Sequence, residues 1–575
     1  MSKSPSKRRQ RFFPLLLPGR TVVTNFDDQH SGARKSRVVP VKRSLGGSPD
    51  SVNTLFHFCF KFIGIYPLSN FSMKKNTSEP LPATGPKPGE NGYKSSEDTG
   101  FGVRVRNAVI WRSGTQIFGQ IVSWVSTFLV IRILDPSDYG LVAMTAVLTL
   151  LLSLVNGYGF ANAVVQRDVI DSKILRQLFG LLILFNAALA AIQIGIAPYA
   201  AQYYQEPLVA DLLRVQALLY LTTPFVVLGY TILSREMDFK RQAQVNIVAA
   251  FCGAVAAIAG AVAGLGVWTL VWAPLVVAFI RAIGMTIVAK SWMWPSFDFN
   301  GAGFIVKYGG VILIGHLFWF VQTQADVFIV GRHFDAHALG IYTTALFLTQ
   351  IFINKVVPPL NEVAFSAYSR IDEDSGVASA FVKSVQMIML VGLPIFVGFA
   401  VTAEPLVKVL LGEKWIETIA FVKLLALAMP FMTLLTLVGP ACNAINRPDI
   451  TTRNSIAGAI YMPVSYLIGL NWGVIGIAYA WLIGYPVLLA TIAIWTLPVL
   501  KVRLSQLIGV LLPSITAVLA MAASVILIDQ LVRWPSEFVQ LPSLIAVGAF
   551  VYLSWMMIFS RTTVTEIYQM VRNRG

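Results

Sequence analysis

The sequence predicts an all-α polytopic membrane protein of about fourteen transmembrane helices, with two parallel six-helix repeats followed by two C-terminal helices. Three observations predict it. Of 575 residues, 55% are apolar or aromatic and only 13% charged, where a soluble domain carries roughly a quarter, and the mean hydropathy is +0.66. The apolar residues come in long runs, and ~20 of them span a bilayer core. Finally, one stretch occurs twice: FLVIRILDPSDYGLVAMTAVL at 128–148 returns as FIVGRHFDAHALGIYTTALFL at 328–348. Phe128/Phe328, Val130/Val330, Arg132/Arg332, Asp135/Asp335 and Gly140/Gly340 match in one frame. Membrane proteins made of two copies of one unit are most often transporters, with the substrate site between the copies.

Residues 1–103 read as a separate, basic extension. The first 100 residues hold 16 Lys/Arg against 7 Asp/Glu and are rich in Ser, Pro and Gly. Such a composition buries too little apolar surface to offset the entropy of ordering, so disorder is expected. The patch Leu55–Tyr66 is too short to span and contains His57 and Lys61. No clean apolar core leads to a cleavage site, so a secretory signal is not expected. Met73, followed by Lys74 and Lys75, is the expected translation start. The net charge of +16 reflects this segment and the loops, not a nucleic-acid surface. Cys59, Cys252 and Cys442 offer no disulfide or metal framework.

Helices 1–6 are expected near 108–132, 140–160, 178–201, 209–233, 244–264 and 266–289, within a unit of residues 104–300. Helices 7–12 are expected near 304–330, 340–364, 381–402, 416–441, 452–470 and 473–497, within 301–500. Helices 13 and 14, near 505–528 and 541–560, belong to a final segment of 501–575. The turns Asp135-Pro136-Ser137, Arg447-Pro448-Asp449 and Trp534-Pro535-Ser536 mark breaks. Other landmarks extend the repeat: Pro224-Phe225 answers Pro430-Phe431, and Gly266-Val267 answers Gly473-Val474. Six helices separate the copies, so both run in the same direction.

Basic loop residues set the orientation. One set of loops and the tail hold most of them, from Arg167, Lys173 and Arg176 to Arg561, Arg572 and Arg574. The opposite loops hold Arg132, Arg332, Lys408, Lys414 and Arg533. Both termini are therefore expected in the cytoplasm, with the repeated turns outside.

The turn Arg132-Ile-Leu-Asp-Pro-Ser-Asp-Tyr-Gly140 resembles the R-x-L-x-P-x-D-Y-G signature of bacterial polysaccharide flippases. That branch shares a superfamily with multidrug-and-toxin exporters and the peptidoglycan lipid-precursor flippase. The resemblance covers about residues 104–500; the second copy keeps Arg332, Asp335 and Gly340 but lacks the Pro and Tyr. It implies two lobes around a central cavity, alternating access, and export of a glycan carried on a polyprenyl diphosphate across the inner membrane. Polysaccharide polymerase and glycosyltransferases are the implied protein partners.

Charges inside spans indicate where a site lies, because each costs about 2.5–3.5 kcal/mol at the bilayer centre on insertion scales. Lys355 lies in mid-helix 8 before Pro358-Pro359, where a kink is expected; it either lines the cavity or pairs with Glu362. Arg214 in helix 4 and Lys423 in helix 10 form an outer cationic pair, or else snorkel or pair with Asp211 and Glu417. Arg112 and Arg281 near the inner surface either capture the diphosphate or anchor their helices. His316 and Asp326 share a face of helix 7 and either couple an ion to transport or bond to neighbouring helices. Asp135 and Asp335 are expected to cap the following helices, leaving the repeated turns as scaffold. Trp124, Tyr139, Trp268, Trp415, Trp472 and Trp534 are expected as interfacial anchors.

No phosphate-binding glycine loop, metal-spaced His/Glu cluster or nucleophile elbow occurs, so neither enzyme nor cofactor is expected. Two other functions are weighed. A cation-coupled drug or metabolite antiporter predicts acidic cavity residues, and helix 1 offers none within its span. A polymerase or glycosyltransferase would need a large outer loop, and no outer loop exceeds about 15 residues.

Overall fold

A computed structural model describes residues 119–154, 172–298, 303–369, 371 and 374–561. The expected N-terminal extension, its start at Met73 and Arg112 lie outside them. The described backbone is helical throughout, with turns and one extended segment between helices. A chain this apolar must satisfy its peptide groups within each segment, and helices do that without a partner.

The first six helices are α1 (Gly119–Ile133), α2 (Pro136–Ser153), α3 (Ser172–Tyr204), α4 (Leu208–Arg235), α5 (Phe239–Val262) and α6 (Val267–Val288). The next six are α7 (Gly303–His333), α8 (Ala336–Tyr368), α9 (Asp374–Val401), α10 (Thr418–Ala444), α11 (Pro448–Gly469) and α12 (Gly473–Val499). They are followed by α13 (Leu504–Leu531) and α14 (Glu537–Phe559). Each lies where the sequence predicts a span. Eleven helical segments among the described residues are long and apolar enough to cross a membrane, one of them, Pro448–Val499, comprising α11 and α12. The chain is a multi-pass membrane protein.

Three details depart from the sequence reading. α4 is interrupted at Ala217–Leu218 between Leu208–Gln216 and Leu219–Arg235. A short helix, Ala403–Leu410, and a single turn, Glu413–Trp415, stand between α9 and α10. α8 runs on through Pro358 and Pro359 to Tyr368.

Contacts between residues 104–300 and 301–500 centre on α2 against α8, with α7 also touching α2. Gly140 and Gly340 make this approach possible. A β-carbon on Gly140 would fall 1.8 Å from the carbonyl oxygen of Ala336, and one on Gly340 would fall 1.8 Å from that of Pro136. Only hydrogen fits at either position. The repeated glycine thus marks a crossing where each copy leans on the start of the other's second helix. α13 packs on α9 and α14, while α14 also reaches the short helix at 403–410.

Candidate functional site

The repeated turns are more than scaffold. Arg132 ends α1, and its Nη2 donates to the carbonyl oxygen of Lys408 at 3.2 Å. Arg332 ends α7, and its Nη1 donates to the carbonyl oxygen of Tyr203 at 2.8 Å. Each guanidinium therefore caps the end of a helix from the other copy, where unpaired carbonyls and the helix dipole favour a cation. The exchange is reciprocal. Around Arg132, Lys414 Nζ donates to the carbonyl of Ile133 at 3.0 Å and meets Asp135 at 2.8 Å, while Trp415 Nε1 donates to the carbonyl of Ile131 at 2.9 Å. Around Arg332, the Tyr203 ring stacks on Phe328 with centroids 4.5 Å apart.

Two expectations are corrected here. Trp415 is fully buried, with Tyr139 edge-on to it at 5.5 Å; both tie the copies together and neither is an interfacial anchor. Both aspartates stand at the N-caps as expected: Asp335 accepts from the Ala338 amide at 2.9 Å, and Asp135 forms a capping box with Asp138, which accepts the Asp135 amide at 3.2 Å, while Asp135 also pairs with Lys414.

Within residues 104–300, α1, α4, α5 and α6 line a half-open cavity of about 930 Å³. Its walls are mostly apolar but carry Gln120, Ser123, Asn246, Gln242 and Tyr230, and Arg281 is the one charged residue among the described residues that line it. Arg281 projects from α6 and is half-buried, and its buried Nε has no hydrogen-bond partner. An uncompensated guanidinium in a membrane segment is costly. An anion entering this cavity can supply the missing bond, and the planar fork of Arg suits phosphate oxygens.

The matching helices of the second copy pack differently. Asp326 on α7 is fully buried. Tyr342 on α8 donates its hydroxyl to Asp326 Oδ2 at 2.5 Å, the Val327 amide donates to Oδ1 at 2.8 Å, and Trp481 on α12 donates to the Tyr342 oxygen at 2.8 Å. Trp481 stacks on Tyr485 at 4.6 Å, and both are buried together with Tyr466 of α11. The sequence reading missed Tyr342 and Trp481. A signal for Tyr342 was present, since it lies 16 residues beyond Asp326 on the next helix. The side chain of His316 lies outside the described residues.

The remaining basic candidates are dispersed. Arg214 pairs with Asp211 at 2.7 Å, with about half of each side chain exposed. Lys423 is exposed on α10; the acid weighed as its partner, Glu417, instead stands 3.6 Å from His337. Lys355 and Glu362 are both exposed on α8. Of the five candidates whose side chains are described, the structure places Arg281 in the cavity and Asp326 in a hydrogen-bonded cluster, and no two of the five share an ion pair or hydrogen bond.

Comparison with known proteins agrees with this architecture. The succinoglycan biosynthesis transport protein ExoT of Rhizobium meliloti is 25% identical over 57% of this chain and 65% of its own. The teichuronic acid biosynthesis protein TuaB of Bacillus subtilis is 24% identical over 52% of this chain and 63% of its own. The lipopolysaccharide biosynthesis protein WzxC of Escherichia coli is 20% identical over 61% and 72%. The chain thus spans just under two thirds of the length of the first two relatives. In fold, it superposes on an inward closed lipid II flippase MurJ with a TM-score of 0.66 at 14% identity, over 79% of this chain and all of that one. An inward-facing multidrug resistance transporter of the MATE family gives 0.53 at 14% identity, over 68% of this chain and 98% of that one. A family profile described as "Polysaccharide biosynthesis protein" matches residues 129–420, half of the sequence, and the chain belongs to that family.

Proposed function

We propose that the protein is a flippase that moves a polyprenyl-diphosphate-linked oligosaccharide across the inner membrane for cell-surface polysaccharide synthesis. The observation that carries this reading is Arg281, whose buried Nε has no partner, facing a mostly apolar cavity with a few polar side chains. Relatives named for polysaccharide biosynthesis, one of them as a transport protein, support the substrate class. In this reading residues 104–300 and 301–500 are two lobes, 501–575 an appendage, both termini are cytoplasmic, and the repeated turns form the closure on the outer side.

The diphosphate enters from the cytoplasmic leaflet, where Arg281 and Arg112 attract it. Arg281 exchanges an uncompensated charge for two charge-assisted hydrogen bonds. The polyprenyl chain remains in lipid. Loss of the Arg132 and Arg332 caps, with separation of α2 from α8, opens the outer side. Lys355 is the next cation available to the cargo. Arg214 and Lys423 are ranked below it, because Arg214 is already neutralised by Asp211. Asp326 is assigned to holding α7 against α8 and α12, with ion coupling through it and His316 as the secondary assignment. The antiporter reading calls for acids in the cavity, and its described lining contains none.

The test is genetic and chemical. Removing the protein should abolish surface polysaccharide while its lipid-linked repeat unit accumulates. Wild-type protein should restore export, and Arg281→Ala at equal membrane abundance should not. Unaltered surface polysaccharide in cells lacking the protein would refute the reading.

A further inference from the structure

The segment between α6 and α7 is built unlike any other loop among the described residues. It begins at Lys290, whose φ of +50° turns the chain sharply out of α6. It then runs without helix or strand from Ser291 to Asp298 across the start of α3, with one tight turn where the Met293 amide donates to the Ser291 carbonyl at 2.9 Å. Its backbone is held along its length. Arg176 Nε donates to the carbonyl of Trp294 at 3.0 Å, the Ser296 amide donates to the carbonyl of Arg176 at 2.9 Å, and Gln177 donates to the carbonyl of Asp298 at 2.7 Å. Lys173 lies 3.4 Å from Asp298. A β-carbon on Gly180 would fall 2.1 Å from the Ser296 carbonyl oxygen, so the strap lies directly on the helix.

A backbone fixed this firmly would be expected to bury its large side chains, yet Trp292 and Trp294 are 79% and 82% exposed. Met293 and Pro295 between and after them are half-buried, while Trp292 and Trp294 project, with Phe297 exposed beyond them. Two held-out indoles expose a large amphipathic surface, which suits a headgroup layer and is costly in bulk water.

The location selects the occupant. α3 starts and α6 ends at this strap, on the end of the molecule opposite the repeated turns. Apolar spans stop here, which places the strap at the depth of the headgroups. Lys290, Arg176 and Lys173 are all exposed around the indoles, with Asp298 the one acid in the segment. We propose that residues 290–298 are an interfacial anchor, with Trp292 and Trp294 seated among lipid headgroups, anionic ones included, of the leaflet at that end. The strap then fixes α3 and α6 to the bilayer surface immediately before the chain enters α7. This goes beyond the transport reading and does not depend on which cargo moves.

Full-length protein is reconstituted in vesicles of phosphatidylcholine and phosphatidylglycerol carrying lipids brominated at either the 6,7 or the 11,12 positions. Tryptophan emission of the wild type is compared with that of W292A/W294A, and the difference reports the two indoles alone. Shallow bromines should quench most of that difference emission, deep bromines much less, and aqueous acrylamide little. Difference emission quenched by acrylamide and spared by both lipids would overturn the proposal, placing the pair in water and open to a protein partner. Emission spared by all three quenchers would overturn it as well. If the alanine pair does not accumulate, W292F/W294F keeps the apolar bulk, removes the same indoles and gives the same difference spectrum.

Discussion

The two stretches of this chain that carry the repeated turn differ inside. In residues 104–300, α1, α4, α5 and α6 line a mostly apolar cavity whose one charged residue among those described is Arg281, with its Nε unsatisfied. In residues 301–500, Tyr466, Trp481 and Tyr485 of α11 and α12 are buried together, and the buried charge is an acid, Asp326, bonded to Tyr342 and a backbone amide. The first arrangement leaves an interaction for a ligand to complete. The second pairs its charge within the protein, although the buried hydroxyls of Tyr466 and Tyr485 have no hydrogen-bond partner. The division is thus one of charge: an unpaired cation in the first, an internally bonded acid in the second. The closure where the copies meet follows the second pattern, with the guanidiniums of Arg132 and Arg332 capping helix ends across the boundary.

If that contrast is correct, substitutions should separate the two interiors by phenotype. The largest effect is expected at Arg281. Arg281→Ala should reduce polysaccharide export by more than about tenfold, since one group supplies the charge-assisted bonds to the anion, with protein abundance unchanged. Arg281→Lys should keep part of the activity, because it retains charge but not the fork. Surface polysaccharide per unit of membrane protein is the readout.

Next come the crossing glycines. Gly340→Val must push α8 off Pro136, and overpacking of this kind costs about 1–3 kcal/mol. Gly140→Val should act alike at Ala336. Thermal unfolding in detergent should show the loss, and cysteine pairs across α2 and α8 should cross-link less.

A smaller and purely structural effect is expected from Tyr342→Phe, which removes the donor to Asp326. Interhelical hydrogen bonds in membranes average about 0.6 kcal/mol, with a maximum near 1.7. A double-mutant cycle with Asp326→Asn should return a coupling in that range. The smallest effect should come from Arg214→Ala. Its pair with Asp211 is half exposed, and such pairs contribute about 0–1 kcal/mol. Export should remain near wild type; a loss comparable to that of Arg281→Ala would return Arg214 to the cargo path.

The sequence made some of these features legible and hid others for physical reasons. Helices were readable because spanning a bilayer requires ~20 apolar residues in a row, and α1 to α14 fall where such runs lie. Arg281 was readable because a cation inside a span needs a cause. The role of the repeated turn was only half readable. Arg132, Asp135 and Gly140 recur as a pattern, but their partners Lys408, Lys414 and Ala336 lie hundreds of residues away. Trp415 was misread because its place at a predicted helix end resembles an interfacial anchor, and burial depends on the packing of α1 against its turn. Tyr342 and Trp481 were missed because each sits in an apolar run, where only proximity to Asp326 gives it a polar task. The strap before α7 was also illegible, since its exposed tryptophans depend on bonds to Arg176 and Gln177.

The most direct test of the central claim is translocation in a defined system. Purified protein is placed in vesicles with a fluorescent polyprenyl-diphosphate oligosaccharide, and the fraction reaching the opposite leaflet is followed with a membrane-impermeant quencher. The account predicts protein-dependent transfer that falls to the rate of empty vesicles in Arg281→Ala while persisting in Arg214→Ala. Equal transfer by wild-type and Arg281→Ala protein would contradict it.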